Sequence, residues 1–223
     1  MKTFVIIPAG GRGFRSGSAT PKQYLKFRGK ELIVYSLETF QKNKSVNEII
    51  ISAEPAYFSL LVRLKKKYGL TKLKTIVKGG KERQDSVYNG LKAIAARKSD
   101  LVVIHDAARP LLPKNVLANA ISTAKKKGNA LVCIKAGDTL VKGDSSVKEY
   151  IDRKNVYYVQ TPQIFKYSDI KKAMKKAFDD NFYGTDESVL IKRIGKKINI
   201  VEGSFLNFKI TTKADFKVLR KLV

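Results

Sequence analysis

The chain has 223 residues, 43% hydrophobic and 29% charged, a balance that excludes a disordered polymer and is long enough to bury a core without disulfide or metal staples. Its 45 Lys+Arg against 19 Asp+Glu leave a net charge of +26, which favours anionic partners. One cysteine excludes a disulfide framework and a multi-cysteine zinc site and points to a reducing, cytoplasmic setting.

In chain order, apolar runs at 4–7, 49–52, 75–77, 101–105, 130–134 and 198–201 alternate with amphipathic stretches at 32–41, 57–68, 85–97 and 116–126. The first run is too short for a signal peptide and reads as a strand. None approaches the ~20 residues of a membrane-spanning helix. The runs lack clean polar alternation, which marks strands buried on both faces and hence a mainly parallel sheet. The predicted fold is α/β, a three-layer sandwich with right-handed crossovers. In such sheets ligands bind beyond the carboxyl ends of the strands, so the loop after each apolar run is where chemistry is expected. Residues 136–157 break the rhythm. Two short strands, 138–142 and 147–151, flank the turn Gly143-Asp144-Ser145-Ser146 and predict a projecting hairpin arm. Such an arm either packs on its own core or reaches a second subunit. No Pro/Gly-rich linker divides the chain, so 1–223 is expected to form one domain with this arm inserted.

The loop after the first run carries Gly10, Gly11 and Gly13 among Arg12, Arg15 and Lys22. Glycines let backbone N–H groups approach phosphate oxygens, and the cations supply a clamp. The loop lacks the Gly-Lys-Ser/Thr ending of a P-loop, and a dinucleotide loop rarely carries such charge; the bland alternative is a turn with solvated cations. After the third run comes Gly79-Gly80, then Ser86, which either caps the following helix or reads the edge of a base. After the fourth comes His105-Asp106-Ala107-Ala108-Arg109. Asp106 is a candidate for ribose or Mg²⁺ contact, or else pairs with Arg109 to shape the loop. His105 is the only histidine, which argues against a triad or a zinc centre and for a hydrogen-bonded structural role. Cys133 lies inside an apolar run and reads as core. Later polar clusters are Asp152-Arg153, residues 160–165, residues 184–188, with Thr185 as N-cap and Glu187 in the first helical turn, and residues 207–212. Lys209 falls in a strand-like run, where its charge is costly unless it faces an anion.

Nucleic acid is the natural alternative for so basic a chain. Only ten of the basic residues are Arg, however, and the densest lysine runs, 65–67 and 125–127, fall near helix ends, where they favour the helix dipole. Aromatic residues do not interleave with them in a base-stacking pattern.

Taken together, the 11–15 loop with Pro21-Lys22-Gln23-Tyr24-Leu25, Gly79-Gly80 through Ser86-Val87, the 105–110 segment, residues 160–165 and residues 207–211 resemble the 2-C-methyl-D-erythritol 4-phosphate cytidylyltransferase family over nearly the whole chain. The resemblance implies a Rossmann-like, nucleotide-diphospho-sugar transferase-like fold and a homodimer whose arms complete each other's sites. The implied reaction joins CTP to methylerythritol phosphate and releases pyrophosphate, with Mg²⁺ carried by the CTP phosphates and Asp106 near the ribose and metal. Carried onto matching positions, Arg15 and Lys22 would stabilise the transition state at the α-phosphorus. Arg153, Lys209 and Thr139 would hold the sugar phosphate, with Thr161 and Arg109 nearby. Ala9, Gly10, Gly11, Gly13, Gly80, Ser86 and Ala107 would surround the nucleotide. Three positions depart from the family's usual pattern: Gly10 replaces an alanine, Ser16 a methionine, and Lys81 a frequent acid. The related ribitol 5-phosphate cytidylyltransferases are the nearest alternative, and a basic nucleic-acid-binding protein is the alternative from another class.

Overall fold

The structure is a computed structural model that describes residues 1–11 and 20–222. Strand β1 (Thr3–Ala9) is followed by the two-residue strands β2 (Lys26–Phe27) and β3 (Lys30–Glu31), which pair with each other, and then by α1 (Leu32–Lys42). Next come β4 (Glu48–Ala53), α2 (Phe58–Lys67), β5 (Leu73–Lys78), α3 (Arg83–Lys92), β6 (Leu101–Ile104), α4 (Lys114–Lys127) and β7 (Asn129–Lys135). The arm strands β8 (Leu140–Gly143) and β9 (Val147–Ile151) lead into β10 (Tyr157–Lys166), α5 (Tyr167–Asp179), α6 (Glu187–Arg193), β11 (Ile200–Glu202) and α7 (Lys213–Leu222).

Seven strands form the central sheet in the order β11-β7-β10-β6-β1-β4-β5. Only β10 runs antiparallel to its neighbours; the other pairings are parallel, as the unbroken apolar runs predict. Along β1 the side chains alternate between two cores. Val5 and Ile7 join the layer containing Leu37, Leu61 and Leu117, whereas Phe4 and Ile6 join the layer containing Val87, Ile170 and Leu190. Helices α1, α2 and α4 therefore cover one face, and α3, α5 and α6 the other. Among the described residues no helix is long and apolar enough to cross a membrane.

Several boundaries differ from the sequence expectation. Helix α3 begins two residues earlier than position 85, because Glu82 is its N-cap and the Glu82 N–H donates to the Asp85 carboxylate at 2.9 Å. It ends at Lys92 rather than 97, and the following chain is tied back by Asp100, which accepts from the backbone of Arg97 and Lys2 at 2.8 Å each. Strand β10 has no counterpart among the predicted runs. Its middle, Gln160-Thr161-Pro162-Gln163, is polar and contains a proline, and the pairing with β7 shifts register there. A bulge accommodates the missing proline N–H, which sequence rules normally take as evidence against a central strand. Helix α5 carries its buried residues at 170, 173, 174 and 177, a helical spacing masked by the lysines between them.

Strands β8 and β9 form a separate two-stranded sheet, and every residue of β9 is exposed. The basic clusters at 65–67 and 125–127 occupy the last turns of α2 and α4, where positive charge meets the negative end of the helix dipole.

Helix α3 seats directly on β1 and β4 at Gly90, where a Cβ would lie 2.7 Å from Ile6 Cγ2 and 3.0 Å from Ser52 Oγ. Gly90→Ala is therefore expected to destabilise the fold by about 1–3 kcal/mol despite alanine's better helix propensity. Denaturant unfolding measures this, and a variant as stable as the wild type would disprove the close seating.

Candidate active site

A cavity of about 260 Å³ opens at the carboxyl ends of β1, β5 and β6. Its walls come from the loops that the sequence singled out: Ala9, Gly10 and Gly11 after β1, Gly80 to Ser86 after β5, Asp106 and Ala107 after β6, with Lys22 and Lys209 from distant segments. Four cations, Lys22, Lys81, Arg83 and Lys209, face two acids, Glu82 and Asp106.

The loops are fixed by close backbone approach and by neutral side-chain amides. Gln23 donates through Nε2 to the carbonyls of Ala9 (2.8 Å) and Gly11 (2.9 Å), so the short helical turn carrying Lys22 is bound to the end of β1. A Cβ on Gly79 would stand 3.2 Å from the Gly10 Cα, and one on Gly80 would stand 2.1 Å from the Asp85 Cβ. The approach at Gly80 excludes any side chain, and the one at Gly79 leaves little room for one. Ser86 is not the helix cap. Its hydroxyl lies in the first turn of α3, accepts from the Gly80 N–H at 3.0 Å and donates to the Glu82 carbonyl at 3.2 Å. It thereby holds the diglycine turn against the helix.

Asp106 is the electrostatic centre. Its Oδ1 accepts from Arg83 Nε at 3.1 Å, its Oδ2 pairs with Lys209 Nζ at 2.9 Å, and Arg109 Nε stands 3.8 Å away. Burial alone would raise its pKa, but Arg83, Lys209 and Arg109 outweigh that cost and hold the carboxyl well below the usual range. Arg83 in turn donates through Nη1 to both oxygens of Glu187, each at 2.7 Å. Glu187 is 1% exposed. Its burial pushes its pKa up, against the pull of Arg83; burial works against the charge on Arg83, but Glu187 and Asp106 more than offset it.

Behind Asp106 runs a directional relay. His105 is fully buried, and desolvation drives its pKa down to about 4, so the ring is neutral at pH 7. Its Nε2 lies 3.1 Å from the Arg109 carbonyl, which can only accept, so Nε2 carries the proton. Nδ1 then accepts from the Thr161 hydroxyl at 3.1 Å, and Thr161 Oγ1 accepts from the Asp106 N–H at 3.1 Å. The expected structural role of the histidine is thus to orient Thr161 and, through it, the Asp106 backbone.

Lys209 does not lie in a strand. It follows the short helical turn Phe205–Asn207, whose Asn207 donates to Gln160 Oε1 (3.0 Å) and to the Thr161 carbonyl (2.7 Å). Its charge faces Asp106, the anion that its position required. Thr185 is not the cap of α6; Asp186 is, accepting from the Val189 N–H at 3.2 Å. Glu187 serves Arg83 rather than only the helix dipole.

The pocket thus gathers Ala9, Gly10, Gly11, Lys22, Gly80, Ser86, Asp106, Ala107 and Lys209. Arg15 and Gly13 lie outside the described residues. Two other expected ligands, Thr161 and Arg109, are not among the residues that line this cavity. Thr161 is 4% exposed and engaged in the relay, and Arg109 donates to the Asn207 carbonyl at 2.6 Å, fastening the Lys209 loop. Thr139 and Arg153 are exposed on the arm, with Arg153 donating to the Gly137 carbonyl. The sequence alone assigned Arg83 no role and Glu187 only a place in the first helical turn. Both stood in clusters it had marked, but their pairing spans 104 positions.

A family model described as 2-C-methyl-D-erythritol 4-phosphate cytidylyltransferase matches residues 3–222. The chain belongs to this family. It is 41% identical over 218 residues to the family's protein from Syntrophus aciditrophicus, covering 96% of this chain and 92% of that one. The protein of the same name from Clostridioides difficile is 37% identical, with 98% and 92% covered. Among solved structures, the Francisella tularensis cytidylyltransferase superposes with a TM-score of 0.86 at 27% identity over 100% of both chains. The Thermus thermophilus enzyme gives 0.82, also at 27% identity, over 100% of this chain and 98% of that one. The family places the chain with cytidylyltransferases and does not favour the ribitol or nucleic-acid alternatives.

His105 gives the site a pH signature. Its pKa is about 4 when folded and about 6.5 when unfolded, so the unfolded chain takes up the proton first. The stabilisation is complete above the unfolded value and is lost as pH falls toward the folded one. Between pH 7 and pH 5 it is expected to cost the wild type about 2 kcal/mol that a His105→Gln variant does not lose. Urea unfolding of both proteins at the two pH values measures this, and parallel losses would show that His105 titrates alike in both states.

Proposed function

We propose that this chain transfers the cytidylyl group of CTP to 2-C-methyl-D-erythritol 4-phosphate, forming CDP-methylerythritol and pyrophosphate. The supporting observation is a pocket in which cations from separate loops converge. Its one nearby histidine is buried and neutral, and the pKa of Cys133, 2% exposed, is pushed up to about 11 by burial. A phosphate oxygen of the acceptor is already an anionic nucleophile, so it attacks the α-phosphorus of CTP without a base. The P–O bond to the β-phosphate breaks, and its electron pair leaves with pyrophosphate. Catalysis then consists of holding two polyanions in line and neutralising the charge that develops.

In this reading the cytosine lies against the backbone of Ala9, Gly10 and Gly80, with Ser86 setting the turn. Lys22, with Arg15, meets the α-phosphate. Lys209 leaves part of its contact with Asp106 to receive the acceptor phosphate. Thr161 and Arg109 act as positioning residues for Asp106 and the Lys209 loop.

Cytidylyltransferases generally use a divalent cation. Among the described residues no group of three acids, histidines or cysteines could cage one. The pocket suits Mg²⁺ that arrives on the nucleotide, since Asp106 offers one ionised carboxylate on the wall and phosphates supply the other oxygens. Bound there, Mg²⁺ would neutralise phosphate charge.

The arm supplies the remaining contacts from a second copy of the chain. Val141, Val147, Tyr150 and Ile151 on the arm, with Tyr157, Tyr158 and Val159 at the start of β10, are large apolar residues left 37–73% exposed. Exposed strands of this kind need a partner. A homodimer that buries them would bring Thr139 and Arg153 to the neighbouring pocket.

Pyrophosphate release with CTP and each acceptor tests the activity. Methylerythritol phosphate is expected to turn over and ribitol 5-phosphate not; the reverse would refute the assignment. Lys22→Ala should lower kcat by about 10²–10³ with little change in CTP affinity, and an affinity loss alone would remove it from the transition state.

The shared site makes a sharper prediction. Lys22→Ala and Arg153→Ala should each be nearly inactive. Mixed in equal amounts and allowed to exchange subunits, they should recover about a quarter of wild-type activity, because half the dimers are mixed and each of those holds one intact site. No recovery after demonstrated exchange would place both residues in the same chain's site.

A further inference from the structure

A second hollow lies on the face of the sheet covered by α3 and α5. It has a volume of about 640 Å³ and shares no lining residue with the pocket at the strand ends. Its apolar lining is aromatic, from Tyr88 on α3 and Tyr167 and Phe178 on α5. The Tyr88 and Phe178 rings pack 4.8 Å apart. Its rim carries Lys98, Lys171, Lys172 and Lys175, against the single acid Asp179. The walls are tied together by backbone, with the Tyr167 N–H donating to Asp100 at 2.7 Å and the Ser168 N–H to Lys98 at 3.2 Å. These bonds fix the start of α5 against the segment before β6.

The four lysines are unneutralised, as are most lysines among the described residues. Among the described residues none of the four has a carboxylate within 4.0 Å, while Asp169 and Asp180 on the same side of the molecule pair with Lys196, Lys176 and Arg193. Lys171 stands 5.6 Å from the Tyr167 ring centre. Lys171 and Lys175 are four residues apart on one helix, where like charges repel. An anion seated among them relieves that repulsion, while the rings bury an apolar body. Volume, aromatic floor and cationic rim together have the character of a small-molecule site.

We propose that this hollow binds an amphipathic organic anion, a compound with a flat aromatic or hydrocarbon body and one phosphate, sulfonate or carboxylate group. The body lies on Tyr88, Tyr167 and Phe178, and the anionic group meets Lys171, Lys172 and Lys175. This site is independent of the cytidylyl-transfer chemistry.

The probe is 8-anilinonaphthalene-1-sulfonate, followed by fluorescence in the full-length protein. Saturable binding is expected, weakened about tenfold by the surface double variant Lys171→Glu/Lys175→Glu. A matched reversal on another helix, Lys125→Glu/Lys126→Glu, should change it less than about twofold, as should saturating CTP. The uncharged analogue N-phenyl-1-naphthylamine should not distinguish the variants. Thermal unfolding of both variants checks that they remain folded. The proposal is overturned if the dye does not saturate, if both double variants weaken it equally, or if CTP displaces it. Displacement by a single-stranded oligouridylate but not by phenyl phosphate would also overturn it, by assigning the groove to nucleic acid.

Discussion

The ion pairs of Asp106 organise the pocket. A carboxylate this deeply placed loses several kcal/mol of hydration, a cost that only good geometry and several partners can offset. Arg83, Lys209 and Arg109 provide them, and each comes from a different part of the chain. Satisfying one buried charge therefore fixes the relative positions of the α3 N-terminus, the β6 loop and the loop after β11. Glu187 extends the requirement to α6 by holding both its oxygens on Arg83.

Neutral groups do the fine positioning around that centre. Gln23, Gln160, Gln163 and Asn207 bind backbone or one another at distances near 3 Å, and the neutral His105 sets Thr161. An amide can orient a loop without altering the field that a phosphate meets. Charged fasteners in those places would have added an anion to repel the substrate or a cation to compete for it. The arrangement keeps the pocket's net positive charge on the residues that face it.

Much of the architecture was legible because buried parallel strands read as unbroken apolar runs and because ligand crevices follow strand ends. Three site loops, after β1, β5 and β6, could be named on that basis alone. What could not be read was mostly non-local. Strand β10 hides behind Pro162 and its polar neighbours, whose bulge is visible only once β7 is alongside. Lys209 read as part of a strand because its flanking residues are apolar, yet Phe208 and Ile210 are drawn to the small cluster with Phe27, Leu32 and Leu219. Arg109 and Thr161 carry polar groups in the right segments, but their hydrogen bonds to Asn207, His105 and Asp106 are non-local and invisible to sequence. Local rules offered Ser86 and Thr185 as cap candidates, whereas the acids Glu82 and Asp186 are the cap residues.

The surplus of +26 acts at a different range from these contacts. A field of that size raises the local concentration of any polyanion but does not select one, and salt screens it within about 8–10 Å. Selection must arise inside the pocket, where Asp106 and Glu82 oppose four cations on the wall. On the proposed reading, an arriving phosphate has to compete with Asp106 for Lys209, so weak or misplaced anions gain little by entering. A substrate able to reach the diglycine turn, the Lys22 turn and the Lys209 loop together would offset that competition at three points. The buried carboxylate that holds the site together thus also sets the threshold for occupying it.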